Sequence, residues 1–101
     1  MKIRLLDRAE DDLIGGYDFY ELQEPGQGIY FLTCLYRDID SLRRVAGVHR
    51  QIHARLRRLL SKTHPYAVYY DLRDDSVDVH AVIACRQSPE KTRRRLGTTQ
   101  G

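Results

Sequence analysis

An α+β domain, with a helical hairpin packed on one face of a small, mostly antiparallel sheet, is the fold class this sequence predicts. Three observations lead there. Apolar residues recur at three- and four-residue spacing over two stretches of the first half, 8–23 and 28–46. The pattern then switches to period two across residues 55–84. Finally, 101 residues with 42% hydrophobic and 31% charged content suit one packed domain without room for a second core.

The elements follow in order. Ile3, Leu5 and Leu6 form a short first strand, with Lys2 and Arg4 on its other face. Asp7 is placed to cap the first helix, with Glu10 at the capping-box position. Ala9, Leu13, Tyr17 and Tyr20, with Ile14 beside them, mark the first amphipathic helix. Gly15-Gly16 inside it costs about 1 kcal/mol per glycine relative to alanine, so close packing is expected there. Pro25-Gly26 ends this helix, and the short Glu24–Gln27 link makes the next one antiparallel to it. Phe31, Leu32, Leu35, Ile39, Leu42 and Ala46 form the second apolar stripe, with Gly47 as a terminating residue.

Period-two segments at 55–61, 66–72 and 77–84 read as three strands. His64-Pro65 separates the first two, and Asp74-Asp75-Ser76 turns the last two as a hairpin. Val77, Val79, Ala81 and Ile83 are assigned to one apolar face. Pro89 opens a short helical segment over 90–96, and 97–101 is expected to be a disordered tail. The order is β-α-α-β-β-β, in a single domain of residues 1–96.

The net charge of +3 is unevenly distributed. Residues 1–40 carry a net −5, residues 41–65 a net +7 with no acid at all, and residues 66–101 a net +1. Arginine contacts phosphate and carboxylate through two parallel hydrogen bonds, so the middle block favours an acidic or polyanionic partner. No apolar run approaches the roughly 18 residues of a membrane span, and acidic residues come too early for a signal peptide. A cytoplasmic protein without a membrane partner is expected. Cys34 and Cys85 sit among apolar neighbours and read as buried thiols. They lack metal-ligand spacing, as do His49, His53 and His64, so no metal and no cofactor is expected.

Several segments together carry a family resemblance. Pro65-Tyr66-Ala67-Val68-Tyr69-Tyr70, with His64 in place of a phenylalanine, resembles the FPY-x-hydrophobic-x-Tyr strand of the RelE/ParE toxin superfamily. Arg86-Gln87-Ser88-Pro89, after the hydrophobic last strand, is similar to that family's basic-residue, Arg-Asp-Pro segment. Ala9 and Asp12 match its Ala-x-x-Asp-Leu start. The resemblance covers essentially the whole chain. It implies the toxin of a type II toxin–antitoxin system, held inactive by a cognate antitoxin, acidic and DNA-binding, whose C-terminal part wraps the toxin. Operator DNA is then bound only through the antitoxin.

Two toxic mechanisms occur on this fold: RelE-like cleavage of mRNA on the ribosome, and ParE-like inhibition of DNA gyrase without nuclease chemistry. Metal-free RNA cleavage needs an activated 2′-OH, a stabilised phosphate and a proton donor. By resemblance, Arg57, Arg58 and Arg86 are the candidate catalytic residues for a metal-independent endoribonuclease, with His80 as a further candidate. The family's third-strand Arg position holds Ala67, the C-terminal Tyr position falls near Thr92, and residues 55–61 contain no Glu. These departures favour the ParE-like action on gyrase. Arg43, Arg44, Arg55, Lys62, Arg93, Arg94 and Arg95 are the candidate partner-binding residues; a non-toxic antitoxin-binding regulatory module is the third reading.

Overall fold

The computed structural model describes residues 1–99, with side chains through Gly97. Its elements are β1 (Lys2–Leu5), α1 (Asp7–Gln23), α2 (Gln27–Asp40), α3 (Leu42–Val45), a 3-10 turn (Ala46–Val48), β2 (Gln51–His53), β3 (Leu56–Leu60), β4 (Tyr66–Arg73), β5 (Ser76–Ala84) and α4 (Pro89–Thr99). The five strands form one sheet in the order β1-β5-β4-β3-β2. Only β1 and β5 run parallel; the other neighbours are antiparallel. No helix among the described residues is long and apolar enough to cross a membrane.

The helical hairpin lies on one face of the sheet. Ala9 and Leu13 of α1, with Phe31, Leu35 and Ile39 of α2, pack on Val68, Tyr70, Val77, Val79 and Val82. Gly16 permits the close approach expected at the double glycine: a Cβ there would lie 2.4 Å from the Phe31 ring. Gly28 does the same on α2, where a Cβ would meet the Tyr17 ring at 2.6 Å. In the connection, Gly26 takes a left-handed φ of 92°. Glu21 Oε1 accepts hydrogen bonds from the backbone N–H groups of Gly26 and Gly28, both at 3.0 Å.

Helix termini differ from expectation. Leu6, not Asp7, is the N-cap residue of α1. Leu6 still pairs with the sheet, its N–H donating to Val79 O at 3.0 Å, so the chain passes from strand to helix with no room for a capping turn. Asp7 and Glu10 instead sit inside the first turn, where their charge suits the helix dipole. The second helix breaks at Ser41, whose hydroxyl donates to Asp38 O at 2.6 Å. Gly47 lies in the 3-10 turn without a positive φ, so it does not terminate the helix in left-handed form.

The last strand does not keep one apolar face. Tyr69 is opposite Ala81 but Tyr70 is opposite Val79, so His80 is an extra residue, a β-bulge. Side chains change face across it. Val77 and Val79 point toward the hairpin, whereas Ala81 and Ile83 join Leu56, Ala67, Tyr69 and Leu96 on the other side. Leu96 of α4 closes that second core. Both faces of the sheet are thus covered here: Val82 and Tyr66 are buried in the hairpin-side core and Tyr69 in the core under α4. α4 runs through Gly97 to Thr99, positions read from sequence as tail; residues 100 and 101 lie outside the described residues.

Candidate functional site

The basic block of residues 41–65 divides between internal and exposed work. Arg57 donates through Nη1 to His49 O at 2.6 Å, on the hairpin side of the sheet. Arg43 pairs with Asp40 at 2.7 Å and donates to Met1 O at 2.9 Å. Arg55 stands 3.9 Å from buried Asp71, which also accepts from Arg73 at 2.7 Å. Arg44, Arg58 and Lys62 make no side-chain ion pair among the described residues.

Arg58 faces the α4 side, opposite Tyr69 in the strand register. Between the sheet and α4 lies an open cleft of about 410 Å³. Ile52, Leu60, Tyr69, Ile83 and Leu96 give it an apolar floor, and Arg58 and Arg93 line it from β3 and α4. Among the described residues no carboxylate lines it. Such a surface suits an apolar segment that carries acidic side chains. Cys85 also lines the cleft and is exposed, contrary to its reading as a buried thiol; it follows the last strand residue and has left the sheet.

The three candidate catalytic arginines are not brought together. Arg57 and Arg58 are successive strand residues and project to opposite faces. Arg86 lies beyond the end of β5, its guanidinium 4.5 Å from the centre of the Phe19 ring on α1. His80 occupies the bulge and is half-buried.

Arg95 is also placed differently from its reading as a partner-binding residue. Its guanidinium donates to Asp12 Oδ1 at 2.8 Å and Oδ2 at 2.7 Å. Asp12 Oδ2 also accepts the Val82 N–H at 2.8 Å, on the side of β5 that β1 has ceased to cover. Arg95 is therefore an internal clamp. Arg93 lines the cleft, and Arg94 reaches Glu90 at 3.3 Å on the exposed side of α4.

A polar network fixes the chain before β2. Tyr70 donates its hydroxyl proton to Ala46 O at 2.6 Å, so His49 Nδ1, 2.6 Å from the Tyr70 hydroxyl oxygen, must donate to that hydroxyl. Burial pushes the Tyr70 phenol up to about 12, with Arg57 opposing. Burial also lowers His49 below its ordinary value, and Arg57 adds to that. His64 stands among the rings of Tyr20, Tyr30 and Phe31, with centroids 5.0, 5.4 and 5.2 Å away. Burial lowers it too, against the pull of Asp38. It fills the place expected for phenylalanine as an aromatic ring. Nearby, Asp38 Oδ2 accepts from the Ser61 hydroxyl at 2.6 Å, tying α2 to the β3–β4 connection.

Charges cross the uncovered part of the sheet as a ladder that sequence reasoning missed. Arg4 donates to both oxygens of Asp78 at 2.9 and 2.8 Å, and Asp78 is opposite Asp71. The Arg4 guanidinium, helped by the Ser76 hydroxyl, holds Asp78 below the usual carboxylate range. Period-two spacing of Asp71 and Arg73 was the available signal, but the ladder also needs the parallel pairing that sets Arg4 beside Asp78, which no local pattern announces. Among the described residues no cluster of His, Cys, Asp and Glu could hold a metal ion.

No protein-family profile matches the chain, and no curated protein matches it. Among solved structures it is similar to a chain of the chromosomal ParDE TA system from P. aeruginosa, with a TM-score of 0.77 and 17% sequence identity. The match covers 83% of this chain and 95% of that one. The likeness is one of fold, and the RelE/ParE-type architecture expected from the sequence is present.

Proposed function

We propose that this chain is the toxin component of a type II toxin–antitoxin system, acting in the cytoplasm and neutralised by a cognate antitoxin. The observation that carries the reading is the near-complete fold likeness to a chain of a ParDE TA system. The functional unit is the domain of residues 1–96. The acidic antitoxin docks its apolar side chains in the cleft beneath α4 and its carboxylates on Arg58 and Arg93. Binding of operator DNA falls to the antitoxin.

A ParE-like action on DNA gyrase is favoured over RelE-like mRNA cleavage. Support comes from the separation of Arg57, Arg58 and Arg86, since phosphate activation and proton transfer need groups converging on one reacting centre. Inducible expression without antitoxin in a bacterial host, with DNA damage response and bulk translation followed together, tests the reading. An early damage response with filamentation, before protein synthesis falls, is expected. Immediate translation arrest with cleaved mRNA would overturn the gyrase assignment, and absence of any growth defect would overturn the toxin assignment itself.

A further inference from the structure

The helical hairpin is apolar on two sides. Its inner side packs on the sheet, yet Ile14 on α1 and Ile29 and Tyr36 on α2 remain exposed, at 59%, 59% and 46%. An amphipathic helix on a sheet normally presents a polar outer face. Here Ile29 and Tyr36 lie seven residues apart, the repeat of a helix–helix seam, on the exposed flank of α2, with Leu32 between them half-buried against the core. The contacts of Gly16 with Phe31 and of Gly28 with Tyr17 fix how the two helices sit side by side. With that alignment, helical periodicity puts Ile14 and Tyr17 on the α1 flank of the same outer groove.

The surroundings of this groove are acidic. Asp11 and Asp18 occupy the outer side of α1 and make no ion pair among the described residues. Residues 1–40 as a whole carry a net −5. The cleft beneath α4 has the opposite character, with arginines and, among the described residues, no carboxylate. We infer that the outer groove of the α1–α2 hairpin is a second docking surface, and that it takes an amphipathic helix with lysine or arginine beside its apolar seam. The seam spacing selects a helix over an extended strand, and the acidic rim selects the sign of its charge. Because the two surfaces lie on opposite sides of the sheet and differ in charge, a basic partner and an acidic one can be held together.

Two synthetic helical peptides with the same leucine seam, one flanked by lysines and one by glutamates, test this on the intact protein by backbone amide NMR. The lysine peptide is expected to shift Ile14, Ile29 and Tyr36, and the glutamate peptide Arg58, Tyr69 and Arg93. The pair of exposed substitutions Ile29→Gln and Tyr36→Gln should weaken the lysine peptide by roughly tenfold or more and leave the glutamate peptide unaffected. Circular dichroism of that variant checks that the fold is retained. The proposal is overturned if the lysine peptide leaves the hairpin amides unmoved, if both peptides map to one surface, or if the double variant binds both as before.

Discussion

Arg95 on α4 and Asp12 on α1 face each other as a two-pronged ion pair, 83 residues apart in sequence, and the same carboxylate receives the Val82 N–H of β5. One side chain thus joins three elements. Both partners are largely buried, with side chains 17% and 16% exposed. Removing either leaves a poorly solvated charge behind, so Arg95→Ala should lower unfolding free energy by about 2–4 kcal/mol. Asp12→Ala should cost more than Asp12→Asn, because asparagine can still accept from Val82. Equal midpoints for the two Asp12 variants in urea would mean that the Val82 bond contributes nothing.

The adjacent glycines of α1 should respond with opposite sign to alanine. At Gly15 a Cβ meets nothing within 4 Å, and Gly15→Ala should stabilise by about 0.5–1 kcal/mol through helix propensity. At Gly16 the new Cβ would collide with the Phe31 ring, and Gly16→Ala should destabilise by about 1–3 kcal/mol. Thermal melts of the two variants under one condition check the pair.

Stability should fall on mild acidification. His49 and His64 are both held below their ordinary value of 6.5, so the folded state binds fewer protons there than the unfolded chain. Their contribution is complete above pH 6.5 and is lost as pH falls through that value toward their lower folded values. His64→Phe keeps an aromatic ring and should flatten this dependence in urea titrations run at a series of pH values. A second loss is expected in stronger acid, as Asp78, depressed from 3.8, becomes protonated.

Tyr70→Phe isolates the network before β2. The phenylalanine ring fits the same space, but the buried Ala46 carbonyl and His49 Nδ1 lose their shared partner. A cost of about 1–3 kcal/mol is expected in equilibrium unfolding. The accompanying change in His49 is visible as an altered imidazole titration by NMR.

Much of the fold was legible because its signals are local. Phe31, Leu35, Ile39 and Leu42 recur with helical period and all are buried in the core. Asp74-Asp75 is a turn signal, and Asp74 takes the left-handed φ of 43° that such a residue tolerates. β2 was not legible for the converse reason. Its turn into β3 places Ala54 at a φ of 53°, where asparagine or glycine would have announced a hairpin. The bulge at His80 was hidden too, because Val77, Val79, Ala81 and Ile83 alternate without interruption. Only the competition between two cores, one under the hairpin and one under α4, decides where the strand changes face. The candidate site was legible in charge but not in geometry. The acid-free arginine block is plain in the sequence, yet which arginines remain available depends on contacts such as Arg57 with His49 O and Arg95 with Asp12.

The parallel pairing of β1 with β5 also has a temporal meaning. Arg4 and Asp78 meet across 74 residues of chain. At about 5–20 residues per second, the ribosome makes the first strand roughly 4–15 s before its neighbour exists. Closing so long a loop is a late and entropically costly event. Leu96, which completes the cleft beneath α4, is synthesised later still. A nascent chain therefore offers no finished cleft to any partner until α4 has been made, and recognition of that surface begins only after Leu96 has joined the sheet.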